Sequence, residues 1–456
     1  MNLTEKQKTF AYAGVAAVLA LIALVSAPGR IEPDAFFDQG EPFFPDFTDP
    51  NKAITMEVIK FDEQTGSTIP FKVTFKEGKW TIPSHYDYPA DQKDRLAKTA
   101  AAIIELRKDD FRTDNVADHE ACGVLDPLDE KVTSLTGRGE RVIIRGENDQ
   151  ILADIIFGKK VEGKENFRFV RLPGQKRVYA AKTDIEITTR FQDWIDTDLL
   201  KVNRNEIEKV VLKDYSVDER TGIVRMRDVV TLTKEDNKWT MDKLKPDQEV
   251  DTGKMNSLLT ALDQLSIVGV RPKPPGLSAS LTRVSDGVRL TQQDLLSLQS
   301  KGYFFGRNGQ LLSNEGELQA ETQDGVIYTL RFGEVVYGTG LAVTAGIDTV
   351  ESGEKGPGEN RYLFITASFD HKKFPEPRKP KNTDFLNKPD SLWTDADHKN
   401  KELYDAHKDW EEKVERGKQR VDELNARFAK WYYVISASSF DKLRLKRKDL
   451  IKEKKK

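Results

Sequence analysis

Five histidines, one cysteine and a few serine and carboxylate spacings are where this 456-residue chain could do chemistry. His119-x-x-Cys122 is half of a zinc-binding spacing, because imidazole and thiolate both ligate zinc, but no second Cys or His pair follows it. The expectation there is a surface histidine beside a core cysteine. His85, His371, His398 and His407 are scattered. Asp395, Asp397, His398, Asp405 and His407 crowd one charged helical stretch, which reads as a solvated face rather than a metal cluster. Ser439-x-x-Lys442 has the spacing of a serine nucleophile with a lysine base, yet "SDG" (285–287) and "KTD" (182–184) are poor substitutes for the partner motifs that chemistry needs. There is no Gly-x-Ser-x-Gly, phosphate-binding loop or dinucleotide fingerprint. "GTGLAVTAG" (338–346) follows a strand without opening an obvious helix and reads as a hairpin or bulge. The expectation is a protein that is not an enzyme, with no catalytic residue, cofactor or metal.

The elements that would position any site begin with a repeat. "GKWTI" (78–82) and "NKWTM" (237–241) each place Trp after a turn-forming pair. Before Trp80, Phe71, Val73 and Phe75 alternate with polar residues; Val230 and Leu232 take the first two matching offsets and Lys234 breaks the third. Each is a strand with one buried face running into a tight turn. After Trp80, Leu96, Ala100, Ile103 and Leu106 form one face of an amphipathic helix. Met255, Leu259, Leu262 and Leu265 stand at the same offsets from Trp239. Pro89 with Asp91, and Asp251 with Thr252, suit the helix starts. Both tryptophans, each ending a buried-face strand, are expected in a core rather than stacking on a ligand. "ILADIIFGKK" (151–160) is echoed by "VIYTLRFGEV" (326–335), and "ENFRFVRL" (165–172) by "ENRYLFIT" (359–366). "RVYAAKTDIEITTR" (177–190) is matched to "YYVISASSFDKLR" (432–444), displaced by an insertion at 372–430, in preference to a rival match of Arg190-Phe191-x-x-Trp194 to Arg427-Phe428-x-x-Trp431, because it continues into "TDLL" (197–200) and "KDLI" (448–451).

The insertion is Pro-rich at first, then helical. Leu403, His407, Trp410, Val414, Gly417, Val421, Leu424, Phe428 and Trp431 keep a heptad register in which only His407 and Gly417 are weak. Either the stripe packs on its own module or it pairs with a partner or a second copy, through Leu403, Trp410, Val414, Val421 and Leu424. The basic end "KLRLKRKDLIKEKKK" reads as a solvated tail, with contact to acidic headgroups as the alternative.

Bulk composition bounds the rest. The chain is 38% hydrophobic and 32% charged, and 72 basic against 75 acidic residues leave a net charge of -3, so no global field recruits nucleic acid. A lone Cys122 forms no intramolecular disulfide. Phe10 to Ala27 is an uncharged, mostly aliphatic run preceded by Lys6 and Lys8 and followed by Glu32, Asp34, Asp38 and Glu41. That asymmetry puts Met1 in the cytoplasm and the bulk of the chain outside. Val25-Ser26-Ala27 resembles a cleavage site, but Pro28 after it hinders a peptidase, so a retained anchor is favoured over a cleaved signal. Residues 28–52 carry Pro28, Pro33, Pro42, Pro45 and Pro50 with Phe36, Phe37, Phe43, Phe44 and Phe47. The prolines impose extended chain, and the phenylalanines are expected to pack along the first module, with a partner-binding strip as the alternative.

The fold class expected is α+β: two repeated modules of antiparallel strands plus an amphipathic helix, behind one N-terminal transmembrane helix. The expected order is a cytoplasmic start (1–8), an anchor (9–28), a linker (29–52), a first module (53–201), a second module (202–445) holding the insertion, and a basic tail (446–456). Strand, Gly-Lys-Trp-Thr-Ile, "YPADQKDRLAKTAAAIIEL", "CGVLDP", "ILADIIFGKK" and "RFVRLPGQKRVYAA" together resemble the domain of unknown function 4340 family. The resemblance covers 54–200 well and 207–445 loosely, with "PGLSAS" (275–280) standing where the first copy has "CGVLDP". It implies a membrane-anchored protein found beside ABC-transporter-type and gliding-motility-type components, and no catalysis. The expectation is therefore a non-catalytic, extracytoplasmic structural or accessory subunit of a membrane complex. An extracytoplasmic binding module for a glycan or other polymer is the alternative.

Overall fold

The computed structural model describes residues 5–25, 37–63, 66–91, 93–218, 223–282, 291–306, 310–338, 340–346 and 359–454. Helix α1 (Glu5–Val25) leads the chain. Strands β1 (Thr55–Asp62), β2 (Ser67–Lys76), β3 (Lys79–Ile82) and β4 (Tyr88–Pro89) precede α2 (Lys93–Ile104). Then come β5 (Asp110–Thr113), α3 (His119–Cys122), β6 (Glu140–Arg145), β7 (Ile151–Lys160), β8 (Phe167–Arg171) and β9 (Val178–Lys182). Their order in the first sheet is β4-β3-β2-β1-β6-β7-β8-β9-β5.

The second sheet is built from β10 (Ile207–Asp218), β11 (Ile223–Glu235), β12 (Lys238–Met241), β14 (Gly269–Pro272), β17 (Glu317–Thr322), β18 (Val326–Val336), β19 (Asn360–Phe369) and β20 (Trp431–Ile435). Its order is β12-β11-β10-β17-β18-β19-β20-β14. Reading β10 for β1 and β17 for β6, this is the path of the first sheet without its outermost strand. The strands matched by sequence take matched places: β7 with β18, β8 with β19 and β9 with β20. The named pairs are antiparallel, with Val210 opposite Leu232 and Leu212 opposite Val230. The protein is α+β with mostly antiparallel sheets. Helix α4 (Thr252–Asp263) precedes β14 as α2 precedes β5, and Asp251 caps it through Gly253 and Lys254 N–H. The anticipated faces of both helices are buried, from Leu96 to Leu106 and from Met255 to Leu265.

Both hairpin turns need positive φ at their two central residues: Glu77 and Gly78 in one, Asp236 and Asn237 in the other. This geometry matches the twist of the flanking strands. The tryptophans depart from expectation. Trp80 and Trp239 are only half-buried, and Phe75, paired across the strands with Trp80, is exposed. They lie on the core face, as the alternation requires, but at the hairpin tips where the core has run out.

The remaining pieces are α5 (Pro275–Thr282), α6 (Gln292–Gln299), the ribbon of β15 (Tyr303–Phe305) and β16 (Leu311–Ser313), α7 (Gly340–Thr344), α8 (Asp395–Phe428), α9 (Ala437–Leu443), and a pair made by β13 (Gln248–Val250) with β21 (Ile451–Glu453). That last pair corrects the free-tail expectation: Arg447 reaches Asp228 Oδ2 at 2.8 Å and the Asp242 carbonyl at 2.7 Å, and Leu450 is buried. Near the other end, Phe43 and Phe47 are buried, with Phe43 packed edge-on against Tyr179 at 5.3 Å. Phe37 is exposed, and Phe36 lies outside the described residues.

Two compact units divide the chain. One comprises Met1–Ala53, Ile59–Glu63 and Lys98–Glu186; the other comprises Ile54–Val58, Gln64–Ala97 and Ile187–Lys456. Among the described residues no helix is long and apolar enough to cross a membrane. The uncharged run read as an anchor continues past Val25 through Ala27, outside the described residues.

Candidate functional site

Within the second unit a cavity of about 560 Å³ opens beside the β2 strand. Ile69, Pro70 and Phe71 supply one wall, Phe71 being at a core-facing position of the alternation. The single turn Pro83–His85 brings His85 to the cavity, and the turn Phe191–Trp194 brings Phe191. Leu341 and Val343 of α7 close another side, with Asn360 and Ser436 at the edge. The glycine-rich stretch thus does open a helix, contrary to the expectation of a hairpin or bulge, though one of only 5 residues.

Helix α7 is held from behind. The buried Arg271 donates from Nη1 to the Val343 carbonyl at 3.1 Å and from Nη2 to the Ala342 carbonyl at 2.6 Å. A guanidinium at the carbonyl end of a helix is favourably placed. Tyr86 Oη donates to the Ala345 carbonyl at 2.6 Å. Gly346 (φ 71°) has to be glycine: a Cβ there would lie 2.2 Å from Arg271 Nε.

His85 is the one buried polar side chain in a lining that also carries Thr189, Arg190, Gln192, Thr344, Asn360 and Ser436. Its ring stacks on Phe191 at 4.2 Å, inclined by 5°. Nδ1 lies 2.9 Å from Ser84 Oγ, while Nε2 is buried with no hydrogen-bond partner. Burial, and secondarily the Arg271 charge, lowers its pKa from 6.5 to about 4, so the ring is neutral at pH 7. Arg190 is the one charged residue among those lining the cavity. Its side chain is 73% exposed and pairs with Asp193 at 3.7 Å.

The residues singled out by sequence are elsewhere. His119 is buried, not at the surface as expected, and its Nε2 donates to the Lys176 carbonyl at 2.7 Å. Burial lowers its pKa and raises that of the neighbouring Cys122 thiol. Ser439 sits at the strand-to-helix junction, where its N–H caps onto Ser436 Oγ at 3.1 Å. Asp397 forms the capping box of α8 with Thr394, whose backbone and side-chain hydrogen bonds hold its pKa down to about 2. His398 packs edge-on against Trp393, and His407 lies 3.2 Å from Glu376. Among the described residues no group of three or more His, Cys, Asp or Glu could hold a metal ion.

The α8 stripe is covered within its own unit. Val414, Gly417, Leu424 and Phe428 are buried, and Asn425 grips the Ala367 backbone of β19 through both its N–H and its carbonyl at 2.9 Å. Leu403, Trp410 and Val421 are half-buried, with Trp410 Nε1 bonded to the Phe374 carbonyl at 2.8 Å. Of the residues offered for a partner, Val414 and Leu424 are therefore occupied in the chain's own packing.

Comparison with known proteins adds one finding. Residues 80–280 match the domain of unknown function DUF4340. The match supports the DUF4340 family for this stretch, which runs from Trp80 to the middle of α5. No curated protein and no solved structure matches the chain. Sequence singles out Phe71, His85 and the glycine-rich stretch separately, but nothing in it connects them into a cavity. Its walls come from residues 69–71, 85, 189–192, 268, 338, 340, 341, 343, 344, 360 and 436, which no local spacing links.

Proposed function

We propose that this protein is a non-catalytic, membrane-anchored extracytoplasmic protein, an accessory subunit of a membrane complex such as an ABC-type transport system. The observation that carries the reading is α1. Phe10, Tyr12, Val15, Val18, Leu19, Leu21 and Ile22 along it are each more than half exposed, an apolar surface that water does not tolerate and a bilayer does. An uncharged run of 18 residues such as Phe10 to Ala27 would reach ~27 Å if helical throughout, against a hydrocarbon core of ~30 Å. Lys6 and Lys8 before it, and Glu32, Asp34 and Asp38 after it, orient the bulk of the chain outward. The transport association is what the resemblance to the DUF4340 family implies.

The test is protease treatment of spheroplasts together with pull-down in detergent. Digestion of the bulk of the chain, and membrane proteins recovered in stoichiometric amount, are expected. Full protection with an intact inner membrane would sink the topology, and recovery of the chain alone would sink the accessory role. A binding function is the second reading, favoured by the cavity beside His85. Its mostly apolar walls suit hydrocarbon better than the hydroxyls of a glycan, which would lose their water there without replacement.

A further inference from the structure

We propose that the cavity beside β2 binds an uncharged single-chain lipid, held by its hydrocarbon against Phe71, Phe191, Val268, Leu341 and Val343 and not by a charged head. An apolar cavity of ~150 Å³ holds one benzene, so the volume here, about 560 Å³, has room for roughly twenty carbons. The walls are held by the chain itself. Arg271 and Tyr86 pin α7 through the Ala342, Val343 and Ala345 carbonyls, and Phe191 is stacked on His85. A preformed, chiefly apolar chamber is the ordinary form of a small-molecule site.

The lining offers an ionised group no partner inside the chamber. His85 is neutral at pH 7 and its Nε2 is sealed, so its ring forms wall without offering a hydrogen bond there. The Arg190 charge, at an exposed position, is met by water and by the Asp193 carboxylate. A charge carried in would lose its hydration without replacement. Water is poorly served there too. Gln192 spends its amide N–H on the Ile267 carbonyl at 3.1 Å, and Ser436 Oγ accepts from the Ser439 N–H at 3.1 Å. Confined water needs several polar partners, and apolar walls that hold it badly gain by exchanging it for hydrocarbon. Thr189, Thr344 and Asn360 remain in the lining to meet the hydroxyl or ester of an uncharged lipid.

This inference rests on the second reading above, names its ligand's class, and does not depend on the anchor. The test exposes the full-length chain in nanodiscs to hexadecanol bearing a photoreactive diazirine, or to the matching hexadecyl sulfate, with labelled peptides mapped by mass spectrometry. The alcohol is expected to label 69–71, 189–192 and 341–344, and hexadecane should compete it away. The sulfate should label these peptides ~10-fold less, because its charge resists desolvation. Arg190→Glu should leave labelling by the alcohol unchanged. Leu341→Trp and Ile69→Trp, which fill the chamber from two different walls, should each block it, with unchanged circular dichroism confirming the fold. Cavity labelling by the sulfate at the alcohol's level, or loss of the alcohol's labelling in Arg190→Glu, would overturn the ligand class and leave the binding reading standing. Labelling by both probes confined to α1 would overturn class and binding reading together, and so would cavity labelling that persists in both tryptophan variants.

Discussion

Acidification should weaken the second unit through one ring. His85 is buried between Phe71 and Phe191, and its pKa falls from 6.5 to about 4, first because burial strips water from the charged form and then because Arg271 repels it. That drop corresponds to about 3 kcal/mol between the two protonation states, at about 1.4 kcal/mol per tenfold. Between pH 6.5 and 4 the unfolded chain binds the proton and the folded chain does not. Stability is therefore complete above pH 6.5 and is lost as pH falls toward 4. At pH 4.5 the share due to His85 alone is about 2.5 kcal/mol. Phenylalanine has a ring that can keep the stack on Phe191, loses only the Ser84 hydrogen bond, and does not titrate. Urea denaturation of wild type and His85→Phe at pH 7 and pH 4.5 isolates the effect, because the carboxylates that also titrate are common to both proteins. Wild type should lose about 2.5 kcal/mol more than the variant on acidification. Parallel losses in the two proteins would refute the reasoning, for they would mean that the ring is solvated or accepts its proton without cost.

Two further outcomes concern α8. Asn425→Leu should cost about 2–3 kcal/mol, read as a shifted urea midpoint, because it strands the Ala367 N–H and carbonyl that Asn425 satisfies; a loss under ~0.5 kcal/mol would show that water reaches that edge of β19. Gly417→Ala, which at an ordinary helix position stabilises by ~1 kcal/mol, should here destabilise by about 1–3 kcal/mol. Its Cβ would stand 2.2 Å from the Phe369 ring, which Phe374 and His371 hold in place, and a gain in melting temperature would contradict this packing.

Those two residues also show what a sequence carries and what it hides. Periodicity reports which face of an element is buried, and it did so for Leu96 to Leu106, for Met255 to Leu265 and for the core-facing side of both hairpins. It does not report how far the core extends along that face. Trp80 and Trp239 obey the alternation and still end half-buried, because each stands at a hairpin tip. In the insertion, Gly417 looked like a gap in an apolar stripe, whereas its missing side chain is what lets the helix approach the Phe369 ring. Asn425 lay outside the heptad altogether.

The difference between a seam for a partner and a face for the chain's own sheet is geometric. β20 pairs with β19 only over Arg361 to Leu363, so the edge of β19 beyond that point must be completed by something. Asn425 completes it at Ala367, a task no second copy of an apolar heptad would perform. The cavity was hidden for the same kind of reason. Tyr86 and Ala345 meet across 259 positions, and His85 acquires its character from Phe191 and Arg271, distant residues with no shared pattern. Chemistry built from such meetings leaves no spacing to read. An unpaired nitrogen in an apolar wall becomes visible only once the strands and turns that bring it there are in place.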